Sequence, residues 1–485
     1  MGEGKIEAAE DFTVSGKESV YVDSDLHIGK DLNLKSDGEI VLDLSNMGDI
    51  SKENLHLGFL DHFKSDGKIN VSGYNGAAAN ADNFMIALDM WDDGAFNLDK
   101  YDVTEEDLQK TDAEGNKIWG EDSKAHKLHT DISNLKIHVN GTEEPLGAAE
   151  AQSHTFIWVD GAEQLKGIQA YKDMKDGEQE ETSILSYNFA LKDDIDASQL
   201  ENYKGIASDD GEAFTGTFDG RGFRIIGLDA NKGRDEDGNE TTNKVDNAGI
   251  FGTIGVARDT GGKITQTGIV KDLSVYSSHF TGEDTAGAIA GRNEGEITGV
   301  VTFGNEVKVT GTKATTTILK DESTGDGEKR KTVYVGAAGG IVGVNTGDIT
   351  DVHASDTVIA SEGDSGSYDT NKEYMTVAGG VVGINHADMD DNKYGSIGTP
   401  VGGTIGVVST SAVITDTSLA SSAEILHGLG GIAGINEYSI SNAAALGATN
   451  GSYGAQGASA SEYVGGIMGI NYSTNSITCI TNRLS

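Results

Sequence analysis

Apolar and polar residues alternate in short bursts along residues 11–50: Phe12 and Val14, Val20 and Val22, Leu26 and Ile28, Leu32 and Leu34, then Ile40, Leu42 and Leu44. A period of two sets these side chains on one face of a strand. The Gly and Asp-Ser punctuation between them predicts turns. The second half has the same texture, without long stretches of the 3.6-residue helical period.

A hexapeptide organises that second half. Gly340-Ile341-Val342-Gly343-Val344-Asn345 returns as Gly380-Val381-Val382-Gly383-Ile384-Asn385, as Gly431-Ile432-Ala433-Gly434-Ile435-Asn436 and as Gly466-Ile467-Met468-Gly469-Ile470-Asn471. Ala288-Ile289-Ala290-Gly291-Arg292-Asn293 is a looser copy, and Gly249-Ile250-Phe251-Gly252 is the earliest, with Ile254 in place of the Asn. The second glycines, Gly252, Gly291, Gly343, Gly383, Gly434 and Gly469, are separated by 39, 52, 40, 51 and 35 residues. A fixed motif at uneven spacing predicts a stacked array with loops inserted into some units. Further short strands follow most copies, as in Gly295–Val300, Gly347–Val352 and Thr357–Ala360.

Short strands, recurrent Gly and no intervening helices predict an all-β parallel β-helix (β-solenoid). A coil of about 20 residues cannot bury its own apolar face, so coils stack at roughly 4.7–4.9 Å. The glycines are expected to accept φ > 0 at tight corners between strands, and small residues such as Gly and Ala also to let successive coils approach closely. Asn293, Asn345, Asn385, Asn436 and Asn471 are expected to stack as a polar column. A β-sandwich or barrel with glycine-rich turns is the competing architecture, but sandwiches rarely repeat one hexapeptide.

The Gly-x-x-Gly core followed by an apolar residue and Asn resembles the GLUG repeat of filamentous-haemagglutinin-like bacterial surface proteins and of some IgA-peptidase N-terminal regions. The preceding segments match in the same order: Ala162–Ile168, Asn188–Ser198, then Phe214–Ile225. The resemblance covers residues 155–485. It implies a right-handed parallel β-helix on a secreted, surface-associated bacterial protein with an adhesive role.

Three regions follow. Residues 1–150 read as β-rich coils carrying a polar insertion near 98–130. Residues 151–212 read as a connecting segment with one short helix, opened by Asp160 and Glu163 as a capping box. Residues 213–485 read as the repeat array. It ends within a repeat at Ile480–Ser485, so the chain is expected to be part of a longer polypeptide.

Composition narrows the partners. Gly is 67 of 485 residues, about 14 % against a usual ~7 %, while Pro is only 2, which excludes collagen and Pro-rich linkers. A net charge of −42 repels nucleic-acid phosphates and anionic lipid surfaces. No apolar run approaches the ~18 residues of a membrane span, and residues 1–11 lack a signal-peptide pattern, so any export signal is missing or removed. A single cysteine, Cys479, excludes an internal disulfide and a thiolate zinc cluster; it reads as a small buried hydrophobe.

Candidate chemistry is sparse. His-Glu-x-x-His, Gly-x-Ser-x-Gly and P-loop motifs are absent. His126 and His129, three apart, sit in the polar insertion and read as solvated. Asp193, Asp194, Asp196 and Asp219 are the carboxylates that a carbohydrate-active β-helix enzyme would use, and turn or capping roles also account for them. Asp235, Asp237 and Asn239 around Gly238 imitate part of a calcium loop, but position 246 is Asp246 where the bidentate Glu belongs. No other cofactor is expected.

The expected function is a non-enzymatic adhesin segment, secreted or at a bacterial cell surface. It would act as spacer and binding surface for a host or microbial glycan or protein. Binding is expected on the insertions at 98–130, 230–246, 311–332 and 386–400. The alternatives are a polysaccharide lyase or hydrolase, and a purely structural stalk carrying a toxin or protease domain.

Overall fold

A computed structural model describes residues 155–170, 172–174, 181–208, 211–234, 239–242, 245–311, 314–319, 330–361, 374–388, 401–416, 425–445, 461–472 and 481–482, with short strands between residues 5 and 144. The described chain is all-β apart from one α-helix, Ala162–Ala170, and one 3₁₀ turn, Ile184–Ser186. Its main sheets are large and parallel. It divides into two compact units, residues 1–192 and 193–485, so the division falls inside the segment read as connecting.

In the first unit, strands pair in parallel with partners twenty residues on: Lys5 with Asp25, Phe12 with Leu32 and Ser19 with Glu39. The strand Thr155–Val159 is buried throughout and pairs with Phe189–Leu191. Between them runs the helix, whose first backbone acceptor is the Gly161 carbonyl. The side chain reaching back over its N-terminus is not Glu163. Gln164 Oε1 accepts from the Asp160 N–H at 2.7 Å, because Gln164 is the third helical residue.

In the second unit three parallel ladders run side by side through the repeats. The first joins Val245–Ala248, His279–Gly287, Arg330–Gly339, Tyr374–Gly379, Ile425–Gly430 and Ser461–Gly465. The second joins Phe251–Ile254, Ala290–Asn293, Val342–Asn345, Val382–Asn385, Ala433–Asn436 and Met468–Asn471. The third joins Ile269–Lys271, Glu296–Val309, Asp348–Ala360, Thr404–Thr410 and Ser439–Ala445. The motif spacings are therefore the register of the second ladder. Insertions leave these ladders as antiparallel hairpins: Lys232–Arg234 with Glu240–Thr242, Ala314–Leu319 with Arg330–Val335, and Ala387–Asp388 with Val401–Gly402. They stretch the interval between partners well beyond the expected ~20 residues, to 56 residues between Asp348 and Thr404.

Alternation holds in the third ladder, where Ile297, Ile349, Ile405 and Ile440 stack in register inside. Each contributes about 1.5–3 kcal/mol by leaving water. The second ladder departs from it, since Val342–Asn345, Val382–Asn385 and Ala433–Asn436 are buried at every position. Val344, Ile384, Ile435 and Ile470 form one side of the core with Val335, Met375 and Val377. A strand buried on both faces needs a continuous apolar run, as parallel strands do.

The motif glycines owe their identity to close approach, not to φ. A Cβ on Gly383 would lie 2.7 Å from the Gly343 carbonyl oxygen and 2.9 Å from the Ala338 nitrogen. Gly343, Gly434 and Gly469 meet the preceding glycine's carbonyl in the same way. Positive φ falls instead on a column in the third ladder: Asp272 (51°), Gly299 (65°), Asp351 (52°), Val407 (51°) and Asn442 (50°).

Candidate functional site

The Asn that closes each motif enters a continuous chain of amides, buried from Asn293 to Asn436 and reaching the surface at Asn471. Asn293 Nδ2 donates to Asn345 Oδ1 at 2.8 Å, Asn345 to Asn385 at 3.0 Å, Asn385 to Asn436 at 2.9 Å and Asn436 to Asn471 at 2.9 Å. The second N–H of Asn345 goes to the Gly347 carbonyl and that of Asn385 to the Ser439 carbonyl. Every amide-to-amide bond is donated toward the following repeat. At the first copy Ile254 pairs with Asn293, so the column starts at Asn293, whose Oδ1 accepts from the Gly295 N–H. Arg292, the odd residue of the second copy, donates to Asn247 Oδ1.

A second buried polar stack has no repeated residue type and was not apparent in the sequence. Ser278 N–H donates to Asn305 Oδ1. Asn305 offers its backbone N–H at 3.0 Å and its Nδ2 at 2.8 Å to Asp356 Oδ1. The Thr302 hydroxyl donates to the other carboxylate oxygen. Burial pushes the Asp356 carboxyl up to about 6 against these three donors, which favour the anion. Near the second ladder, Glu437 is buried against His386 Nδ1 at 2.6 Å. Nothing in the repeat pattern singles out Glu437.

The aspartates considered for catalysis are each engaged separately. Asp193 Oδ1 accepts from the Asp194 N–H, and Asp196 Oδ1 accepts from the Ser198 N–H, which holds the Asp196 carboxyl below its usual range. Asp194 takes the Arg224 backbone N–H at 2.8 Å and its Nε at 3.0 Å; the guanidinium lowers the Asp194 carboxyl. Asp219 accepts from the Arg221 N–H and pairs with Lys271 Nζ at 3.1 Å. These are Asx turns and ion pairs. Asp272 is raised by burial and by the nearby Asp219 charge. Neither Asp272 nor Asp351 was flagged by the sequence, although both end a strand segment at the positive-φ corner.

Asp235 and Asp237 lie outside the described residues, and Asn239 is exposed beside a hairpin strand. Among the described residues no group of three His, Cys, Asp or Glu side chains is arranged to hold a metal ion. His126, His129, Cys479 and the insertion at 98–130 are outside the described residues, as is most of 386–400.

Two aromatic residues and an arginine gather on the outer side of Glu296–Val309 and the strands Ser274–Tyr276 and Arg224–Ile226 that precede it in the sheet. Tyr276 stands in register with Ile226 on one side and Phe303 on the other. The Tyr276 and Phe303 rings lie 5.9 Å apart at 65°, and Phe303 is 57 % exposed. Arg224 lies 6.0 Å from the centre of the Tyr276 ring while still bound to Asp194. Cross-strand pairing assembles this stripe from residues far apart in the chain.

No family model matches the chain, and no curated protein matches it in sequence. Among solved structures it is similar to a "putative immunoglobulin A1 protease" from Bacteroides ovatus, at 15 % identity and a TM-score of 0.34, over 65 % of this chain and 84 % of that one.

Proposed function

We propose that this chain is a non-enzymatic segment of a secreted or surface-exposed bacterial adhesin. Its repeats wind as a right-handed parallel β-helix of the GLUG-repeat kind, and it serves as a stiff spacer and binding surface for a host or microbial glycan or protein. The observation that carries this reading is the in-register stacking of five repeats on one amide column from Asn293 to Asn471. Such a column fixes each repeat to its neighbours and leaves the outer faces and hairpin insertions free to vary. The aspartates tied up in turns and ion pairs support a non-catalytic role.

The test is an array of host and microbial glycans probed with the purified chain, with and without calcium. Selective binding is expected. A blank array in both conditions would overturn adhesion to glycans by this segment and favour the stalk reading. Loss of binding on chelation, reproduced by Asp237→Asn, would assign calcium to the acidic residues Asp235, Asp237 and Asn239.

A further inference from the structure

We propose that the outer stripe formed by Arg224, Tyr276 and Phe303 is a binding site for a neutral saccharide chain. This rests on the adhesive reading above and gives it a location on the ladder rather than on an insertion. A contiguous apolar patch at the surface marks an interaction site, whereas a single exposed side chain does not. Here half-buried Ile226 and Tyr276 and exposed Phe303 make one continuous patch, in register on three neighbouring strands.

The chemistry of the stripe selects the occupant. A pyranose ring has an apolar C–H face and a rim of hydroxyls, so it stacks on an aromatic face while its rim seeks hydrogen bonds. The rings at 65° make a shallow corner, with one face for stacking and one edge for lateral contact. Polar side chains border it in register: Ser355 follows Phe303, and His353, whose Nδ1 contacts Ser409 Oγ at 2.8 Å, follows Val301.

Charge and size remove the competitors. The Arg224 guanidinium is held by Asp194, so the stripe carries no free positive charge from that residue, and the whole chain is at −42. Acidic glycans, nucleic acid and anionic lipid are repelled. A folded protein partner needs roughly 800 Å² on each side, far more than a stripe of three side chains.

The experiment titrates the full chain by calorimetry with cellohexaose, maltohexaose, mannohexaose and chitohexaose, and with a heparin hexasaccharide as the acidic probe. At least one neutral hexasaccharide is expected to bind and the heparin fragment not to. Phe303→Ser is expected to weaken binding tenfold or more with an unchanged melting temperature, and Phe303→Tyr to retain it. Neutral binding that survives Phe303→Ser would overturn this site while leaving the adhesive reading intact. Binding of heparin alone would overturn the neutral occupant. A chain that binds none of the hexasaccharides and leaves the glycan array blank would sink both.

Discussion

Asn345 Nδ2 donates a 3.0 Å hydrogen bond to Asn385 Oδ1, joining residues 40 apart in the chain, and both side chains are fully buried. Asn345, Asn385 and Asn436 each both give and receive within the column. Removing one therefore strands a donor on one side and an acceptor on the other.

Asn385→Ala is expected to destabilise the chain by about 3 kcal/mol, since it orphans an N–H of Asn345 and the Oδ1 of Asn436. The urea midpoint checks this. Asn385→Asp is expected to be worse, because an ionised carboxylate cannot donate to Asn436 and is costly to bury. A midpoint unchanged in Asn385→Ala would mean the column does not hold the repeats together.

Gly383→Ala is expected to cost several kcal/mol, as the new methyl meets backbone atoms of two strands at 2.7 and 2.9 Å. Gly406→Ala serves as the control. Its methyl would meet Ser441 Oγ at 3.4 Å and Thr350 Cγ2 at 3.8 Å, both ordinary contacts, so the change is expected to be nearly neutral. Thermal melts of the two variants separate close approach from a generic loss of glycine.

Val407 occupies the left-handed corner column at φ 51° and is 57 % exposed. A β-branched residue is strained there, while the next position of the column carries Asn442 at φ 50°. Val407→Asn is expected to gain about 1 kcal/mol, read as a higher urea midpoint. A lower midpoint would show that Val407 contributes more by packing than it costs in strain.

Asp356 makes stability depend on pH in a known direction. Its carboxyl sits near 6 in the folded chain against 3.8 ordinarily, so the folded state binds the proton more tightly. The stabilising contribution of the protonated form is complete below about 3.8 and is lost as pH rises through about 6, a swing on the order of 3 kcal/mol. Asp356→Asn is expected to remove that component and to melt higher than the parent at pH 7.5. Parallel pH profiles for the two chains would contradict the assignment.

Repetition made much of this protein legible from its sequence. Closely similar hexapeptides announce their own register, so the spacings from Gly252 to Gly469 are the strand offsets of the second ladder. The recurrent Asn likewise announced a column, because like residues placed in register must meet. The tertiary structure alone decided features that do not repeat. Ser278, Asn305 and Asp356 are different residue types at stacked positions, and the sequence carries no sign that they share one buried network. Glu437 belongs to no repeated motif, and only strand pairing sets it against His386. Arg224, Tyr276 and Phe303 come from three strands whose mutual register depends on loop lengths, which no local pattern encodes. The glycines mark the boundary between the two cases: their positions were plain in the chain, but both φ > 0 and close contact select glycine. Only the distance from Gly383 to the Gly343 carbonyl tells which one applies.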